Sequence, residues 1–275
     1  MNFLTVNPTA FKIFGIEIQW YAIIIVSAIV LVSWMASKEA ERVGLREDDV
    51  VDLMLWALPI SIVGARLYYV IFEWEYYAQN PGEILAIRNG GLAIYGGLIA
   101  GGIVVYIFTR HRFIPTWRFL DVAAPSVILA QGIGRWGNFM NHEAFGGVVS
   151  LDFLESLHLP KFIIENMLID GKYRQPTFLY ESVWNVLGFI VLILLRRKPN
   201  FLKEGEVALI YVMWYSLGRF FIEGMRTDSL MIGDVIRVSQ ILSAGLFVVA
   251  TGLMIYRRKN KELVFYDRTK GKEKG

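Results

Sequence analysis

Long apolar segments separated by short polar connections make up most of the chain. Seven of them are long enough to cross a hydrocarbon core about 30 Å thick, and they cover residues 18–37, 50–73, 91–109, 119–140, 178–195, 206–224 and 234–256. Continuous runs such as 189–195 lack the alternation of apolar and polar residues that marks barrel strands. The pattern therefore predicts an all-α integral membrane protein with seven transmembrane helices.

Lysine and arginine concentrate in the connections that follow the odd-numbered segments. The basic residues of these connections are Lys38, Arg42, Arg46, Arg110, Arg112, Arg118, Arg196, Arg197, Lys198 and Lys203, followed by a basic tail over 257–274. Because such connections remain on the cytoplasmic side, we expect the N-terminus outside and the C-terminus in the cytoplasm. This topology also accounts for the formal net charge of +3, so no nucleic-acid partner is expected.

The longest connection, residues 142–177, lies on the predicted outer side. It combines short apolar stretches with Pro160 and the turn residues Asp170 and Gly171. No linker in the chain is long enough to separate a second folded domain. We therefore expect one membrane-embedded domain over residues 1–275, with 142–177 as a small outward-facing cap.

The stretch from Gly134 to Gly147 places several polar side chains at the outer end of the fourth segment. It contains a guanidinium, amides, an imidazole and a carboxylate at a depth where lipid favours apolar groups. If the helix continues through this stretch, Arg135, Asn138 and His142 share one face. The guanidinium of Arg135 keeps its charge and its planar fork suits a phosphate group, so the stretch is a candidate anion site.

Other apolar segments also contain charged residues. Four residues of the sixth segment share one helix face through spacings of four, four and three: Tyr215, Arg219, Glu223 and Arg226. Arg66 lies within the second segment and Glu181 near the start of the fifth. An arginine at the centre of a membrane helix costs at least about 2.5 kcal/mol, so Arg66 is expected to have an ion-pair partner or a ligand.

The third segment begins with a glycine-rich stretch, residues 90–97, and continues with Gly101 and Gly102. The spacing of Gly97 and Gly101 is typical of close helix packing in membranes. Tyr95 lies between the glycines, where its hydroxyl is a candidate to border a substrate cavity.

The chain contains no cysteine, and its three histidines are scattered. Disulfides, Cys-ligated metals and an enzyme thiol nucleophile are therefore excluded, and neither a metal nor a cofactor is expected. The intramembrane arginines near the outer side instead indicate an anionic substrate carried by membrane lipid, with its phosphate held by Arg135 and Arg219. Displacement of a phosphate leaving group is the chemistry that these residues suit.

The sequence from Gly134 to Gly146 resembles the signature of prolipoprotein diacylglyceryl transferases, and the resemblance extends over nearly all of the chain. It includes Trp20 and Tyr21, the glycine-rich stretch 90–97, residues 176–181 and the stripe 219–226. The resemblance implies a seven-span enzyme of the bacterial cytoplasmic membrane. Such an enzyme transfers the diacylglyceryl group of phosphatidylglycerol to the lipobox cysteine of a prolipoprotein signal peptide and releases glycerol phosphate.

The residue analysis and the resemblance together give two groups of site residues. The expected catalytic residues are Arg135, Arg219, Glu143 and Tyr95. The expected substrate-binding residues are Arg135, Asn138, Asn141, Gly146, Tyr21, Arg219, Glu223, Arg226, Arg66 and Glu181. In this scheme Arg135 and Arg219 hold the phosphate and favour its departure. Glu223 orients Arg219, and Tyr21 lines the lipid pocket.

Two positions depart from the family pattern. Many relatives carry histidine where this chain has Tyr95, and a similar difference occurs at Gln175. A phenol is a poor base at neutral pH. Either Tyr95 only positions the substrate, or the proton of the incoming thiol passes to Glu143 or His142, or water accepts it. The sequence does not assign the base.

Two other classes of function also place arginine inside membrane segments. A metal-dependent phosphatidyl transferase needs several aspartates on adjacent helices, and this chain lacks that set. A lipid or anion transporter is typically built from paired interrupted helices or a two-half repeat, and neither is visible in the sequence. The transferase is therefore the favoured interpretation.

Overall fold

The computed structural model describes residues 7–87, 90–227, 231–232 and 236–267. In these residues the α-helices are α1 (Trp20–Arg42), α2 (Asp48–Phe72), α3 (Trp74–Gln79), α4 (Ile94–His111), α5 (Thr116–Met140), α6 (Leu151–Ser156), α7 (Lys161–Asn166), α8 (Thr177–Arg197), α9 (Glu206–Glu223) and α10 (Val238–Lys259). Short antiparallel strand pairs join β1 (Thr9–Ile13) to β2 (Ile16–Gln19), β3 (Leu168–Ile169) to β4 (Lys172–Tyr173), and β5 (Met231–Ile232) to β6 (Ile236–Arg237). The predicted helical class is confirmed.

The long helices fall on the predicted apolar segments, with their ends shifted by a few residues. Five of them are long and apolar enough to cross a membrane: α1, α2, α4, α8 and α10. Helices α5 and α9 have comparable lengths of 25 and 18 residues. They fall outside that group because they carry polar and charged residues, including Asp121 and Arg135 on α5 and Arg219 and Glu223 on α9.

The chain divides into two compact units. The smaller unit is formed by residues 35–120, and the larger unit by the described residues of 1–34 and 121–268. Helices α1 and α5 contribute residues to both units.

In the smaller unit, α2 and α4 pack at close range. A Cβ atom built on Gly97 would lie 3.4 Å from the carbonyl oxygen of Ser61, and one on Gly101 would lie 2.8 Å from the hydroxyl of Ser61. The expected packing role of Gly97 and Gly101 is therefore confirmed. The closest approach is between Gly64 and Gly96, where the backbone of each helix occupies the space that a side chain on the other would need.

In the larger unit, two indoles connect α8 to α9. Trp184 Nε1 donates to the carbonyl oxygen of Trp214 at 3.0 Å, and Trp214 Nε1 donates to the carbonyl oxygen of Trp184 at 2.9 Å. The two rings stack with centroids 4.6 Å apart. Each ring lies against a glycine of the opposite helix, Gly218 for Trp184 and Gly188 for Trp214. This reciprocal pair fixes the lengthwise register of the two helices.

The N-terminal end of α9 is capped by a carboxylate from α5. Asp121 is fully buried and accepts hydrogen bonds from the backbone N–H groups of Gly205 and Ala208. These donors belong to the first turn of α9, which has no partners for them within the helix. At the same end, the guanidinium of Arg258 in α10 forms an ion pair with the buried carboxylate of Glu206. The basic end of α10 therefore lies beside the start of α9.

Residues 142–177 form a small structured segment between the C-terminal end of α5 and the N-terminal end of α8. Leu154, Ile163 and Met167 of this segment are buried against Phe139 of α5 and Phe178 of α8. The Phe139 and Phe178 rings stack with centroids 4.5 Å apart. Apolar burial of this kind holds the segment on the two helix ends that carry the candidate site.

We expect Gly96→Ala to lower the thermal unfolding midpoint of the purified protein in detergent. The new Cβ would lie 2.3 Å from the Cβ of Tyr68 and 2.4 Å from the carbonyl oxygen of Gly64. Overpacking of this kind typically costs about 1–3 kcal/mol. Gly102→Ala in the same helix is the matched control, because nothing lies within 4 Å of a Cβ atom at that position. Equal midpoints for the two variants would contradict the proposed close crossing.

Candidate active site

Helix α5 ends at the residue where the predicted segment 119–140 ends. The helix ends at Met140, and His142 adopts a left-handed backbone conformation with φ of 52°. The helix does not continue to His142, so the condition under which His142 would share a face with Arg135 and Asn138 is not met. The turn instead brings the backbone N–H of Glu143 to the carbonyl oxygen of Asn138 at 3.0 Å.

This turn aligns three side chains at the end of α5. The Nδ2 atom of Asn138 donates to Oε1 of Glu143 at 2.8 Å, and Nη1 of Arg135 donates to Oδ1 of Asn138 at 3.1 Å. Asn138 therefore uses both ends of its amide, one towards a cation and one towards an anion. The arrangement links the exposed carboxylate of Glu143 to the Arg135 guanidinium through a single side chain.

The carboxylate of Glu181, in the second turn of α8, is the point on which three arginines converge. Oε2 lies 2.7 Å from Nε of Arg135 on α5, and Oε1 lies 2.9 Å from Nη1 of Arg219 on α9. Oε1 is also 3.7 Å from Nη1 of Arg226, just after α9. The Arg219 contact is an aligned hydrogen bond, whereas the Arg135 contact is an ion pair without hydrogen-bond alignment at Nε.

A second carboxylate, that of Glu223, contacts Arg219. Oε2 of Glu223 lies 2.6 Å from Nη2 of Arg219, one helical turn earlier on α9. Arg219 therefore directs its two terminal nitrogens to two different glutamates, Glu181 on α8 and Glu223 on its own helix. We call the five residues joined by these contacts the arginine cluster: Arg135, Glu181, Arg219, Glu223 and Arg226.

Within the arginine cluster the anions are more deeply buried than the cations. The side chains of Glu223 and Glu181 are 2% and 7% exposed, whereas those of Arg226, Arg219 and Arg135 are 12%, 18% and 22% exposed. The accessible surface of the cluster is therefore contributed mainly by arginine side chains. Such a surface favours an anion that approaches from outside the protein.

Gly146 positions the segment that carries Arg226. Its N–H donates to the carbonyl oxygen of Gln175, and it forms an isolated antiparallel bridge with Arg226. A Cβ atom on Gly146 would lie 2.8 Å from the Cβ of Gln175 and 3.0 Å from the carbonyl oxygen of Met225. A larger residue would therefore separate the segments that meet here and move Arg226 away from Glu181.

Arg237 is a contributor to this region that the sequence did not identify as a site residue. Its Nη1 and Nη2 atoms donate to the carbonyl oxygens of Gly224 and Arg226 at 2.6 and 3.3 Å. It thereby orders the backbone that follows α9. The available signal was an arginine at the start of an apolar segment, a position that equally suits a membrane-interface anchor.

Two further expected site residues lie near the end of α5. The Tyr21 ring packs on this helix, where it is 2.7 Å from the position of a Cβ atom on Gly137. Asn141 follows the last residue of α5, and its Oδ1 atom is buried without a hydrogen-bond partner in the part of the chain that the structure describes.

The remaining expected residues, Arg66 and Tyr95, belong to the smaller unit. Arg66 is 5% exposed and donates to four backbone carbonyl oxygens, those of Glu83, Ile84, Gly90 and Gly91, at 2.7–2.9 Å. Its partners are thus neither an acidic side chain nor one of the candidate site residues. Tyr95 is the second residue of α4, in its first turn.

The larger unit therefore brings together most of the expected site residues from α5, α8, α9 and the segments that follow them. In the described residues, no three His, Cys, Asp or Glu side chains form a group suited to a metal ion. The arginine cluster is the feature of these residues that is suited to binding an anion. Its arginine side chains are partly exposed, and guanidinium groups of this kind can bind a phosphate and stabilise negative charge that develops on it.

Comparison with known proteins identifies a family that this chain resembles along most of its length. Residues 8–256 match the family model described as prolipoprotein diacylglyceryl transferase. The chain is 66% identical over 274 residues to the phosphatidylglycerol–prolipoprotein diacylglyceryl transferase of Enterococcus faecalis, covering 100% of this chain and 99% of the relative.

Similarly named enzymes are found in two further bacteria. The Lactiplantibacillus plantarum enzyme is 60% identical over 92% of this chain and 89% of its own length. The Listeria monocytogenes enzyme is 55% identical over 94% of this chain and 93% of its own length. The chain therefore belongs to the prolipoprotein diacylglyceryl transferase family.

Proposed function

We propose that the arginine cluster binds the phosphate of phosphatidylglycerol and that the chain transfers the diacylglyceryl group of this lipid to a protein thiol. The observation that carries the proposal is the convergence of three arginines from separate segments at one partly accessible point. The names of relatives that are 55–66% identical support the choice of lipid and of acceptor. The acceptor is the lipobox cysteine of a prolipoprotein signal peptide.

In the proposed reaction, the sulfur of the acceptor cysteine attacks the carbon of the diacylglyceryl group that is bonded to the phosphate oxygen. The carbon–sulfur bond forms as the carbon–oxygen bond to phosphate breaks, and the oxygen keeps the bonding electron pair. The products are a thioether-linked diacylglyceryl protein and glycerol phosphate. The thiol proton leaves before or during the attack and passes to Glu143, to His142 or to water.

Arginine stabilises the leaving group in this scheme. Negative charge increases on the phosphate as the carbon–oxygen bond breaks, so donors that are already oriented lower the barrier. Arg135 and Arg219 supply those donors, and Arg226 adds a third cation. Asn138 orients Arg135, and Glu223 orients Arg219.

Other expected site residues have supporting roles in the proposal. Glu143 is held through Asn138 and is placed to contact the acceptor peptide or the thiol. We assign the Tyr21 ring, which packs on the end of α5, to the lipid pocket, and Asn141, whose Oδ1 atom is buried, to the wall of that pocket. Gly146 keeps Arg226 at the cluster. For Arg66, whose donors are directed to the loop before α4, we propose a role in ordering that loop.

We further propose that all seven long helices cross the bacterial cytoplasmic membrane, with the N-terminus outside and residues 142–177 as an outward-facing cap on a single domain. Within the larger unit, the basic end of α10 lies beside the start of α9, whereas the arginine cluster lies at the other end of α9. This arrangement supports an outer site and a cytoplasmic basic end, because basic residues stay on the cytoplasmic side.

The direct test uses the purified protein in phosphatidylglycerol vesicles together with a lipobox peptide. The expected result is a peptide mass increase that equals one diacylglyceryl group, located on cysteine. The same peptide with serine in place of cysteine is the control and should remain unmodified. Unmodified cysteine peptide together with lipid movement between leaflets would instead support a lipid transporter.

We expect Arg135→Lys to reduce transfer at least about a hundredfold while the protein still folds. Lysine keeps the charge but cannot reproduce the planar fork, and loss of one oriented donor at a developing anion commonly costs about 10²–10³ in rate. Transfer is measured by peptide mass, and folding by gel filtration in detergent. Arg112→Lys is the control, because Arg112 pairs with Asp49 and Asp52 at the start of α2. Near-normal turnover in Arg135→Lys would refute the phosphate role.

We expect Tyr95→Phe to retain at least about a tenth of wild-type kcat, because a hydroxyl that only positions substrate contributes about 1 kcal/mol, the net worth of a typical hydrogen bond. The measurement is the initial rate of peptide modification at saturating lipid. Loss of all activity in a variant that unfolds at the wild-type temperature would show that the hydroxyl takes part in the chemistry.

A further inference from the structure

Glu181 is an unusual member of a phosphate site because it carries the same sign of charge as the ligand. Its carboxylate is 7% exposed and lies within 4 Å of Arg135, Arg219 and Arg226 at once. A carboxylate at the meeting point of three guanidinium groups weakens their mutual repulsion and fixes their directions. It also lowers the positive charge that they present to a ligand.

The formal charge of the arginine cluster follows from its members. Three guanidinium groups and two carboxylates leave one net positive charge. A bound phosphodiester, which carries one negative charge, makes the assembly neutral. Neutral assemblies are favoured where water is partly excluded, because uncompensated charge is costly there.

Substrate and product of the proposed reaction differ in this charge. The phosphate of phosphatidylglycerol is a diester with one negative charge. The released glycerol phosphate is a monoester whose second pKa is near 6, so it carries nearly two negative charges at neutral pH. Binding the product therefore leaves the cluster with excess negative charge beside Glu181.

From these contacts we infer that Glu181 is a specificity-determining positioning residue. It sets the net charge of the site so that a phosphodiester is retained and the dianionic phosphate monoester is released. The inference rests on the proposed function and adds to it a physical basis for distinguishing substrate from product. It gives Glu181 no contact with the lipid and no part in proton transfer.

The test compares the binding of two soluble headgroup fragments to the purified full chain in detergent. Glycerophosphoglycerol is the diester probe and glycerol phosphate is the monoester probe, both radiolabelled and measured by equilibrium dialysis at pH 7.5. Because dialysis needs no turnover, it remains informative in a variant that has lost activity. The quantity compared is the ratio of the two Kd values.

We expect Glu181→Gln to shift the ratio of the two Kd values at least about tenfold in favour of the monoester. The substitution removes one negative charge, which repels the dianionic monoester more strongly than the monoanionic diester. Glu181→Asp keeps the charge and should keep the wild-type ratio. Glu223→Gln removes the other carboxylate of the cluster and should shift the ratio in the same direction as Glu181→Gln. It provides the test if Glu181→Gln does not fold.

Two outcomes would overturn the inference. One is an unchanged ratio in the folded Gln variants, and the other is an equal shift in Glu181→Asp, which would assign the effect to geometry. Neither outcome affects the proposed function, which is tested by wild-type transfer to the lipobox peptide. Conversely, a wild-type protein that transfers nothing and binds neither probe would refute the proposed function itself.

Discussion

The attraction between the Glu181 carboxylate and the surrounding guanidinium groups is the interaction on which the site depends. Arginines from α5, α9 and the segment after α9 would repel one another if they met without an anion. Glu181, near the start of α8, lets them approach to 2.7, 2.9 and 3.7 Å of one carboxylate. The same contacts tie α5, α8 and the end of α9 together, so the site and this end of the larger unit are stabilised by one set of ion pairs.

The burial of these charged side chains explains why each arginine of the cluster has polar or acidic partners. An isolated charge in a membrane segment is costly, so each arginine needs a partner within reach. Arg135 has Asn138 in addition to Glu181, and Arg219 has Glu223. The deeply buried members are the glutamates, while the arginine side chains keep some exposure. Each arginine of the cluster thus has an anionic partner within the protein.

Much of the helical framework and one contact of the arginine cluster could be predicted from the sequence. Apolar segments located the long helices, and the four-residue spacing of Arg219 and Glu223 predicted their contact, because both rules act within one helix. The convergence on Glu181 could not be predicted in this way, since it joins residues 38 or more positions apart in the chain. Pairing between helices depends on packing, which single-segment patterns do not encode.

Sequence patterns also gave no information where backbone groups, and not side chains, supply the hydrogen bonds. Arg66 was expected to meet an acidic residue or a ligand, yet carbonyl oxygens of one loop satisfy its donors. Likewise, a shared face for Arg135, Asn138 and His142 required a helix that continues through the motif, whereas the chain turns at His142 with a left-handed residue. The loop sequences carry no periodic signal that reveals these bonds, so only the folded chain identifies them.

The reciprocal bonds of Trp184 and Trp214 have a mechanical consequence for catalysis. Trp184 follows Glu181 by nearly one turn on α8, and its ring rests on Gly218, the neighbour of Arg219 on α9. Sliding one helix along the other would break both indole bonds and drive each ring into the opposite backbone. The relative position of the Glu181 and Arg219 backbones is therefore fixed by this packing. Under the proposed function, a lipid headgroup would adapt to that spacing through its own torsions and through side-chain rotation.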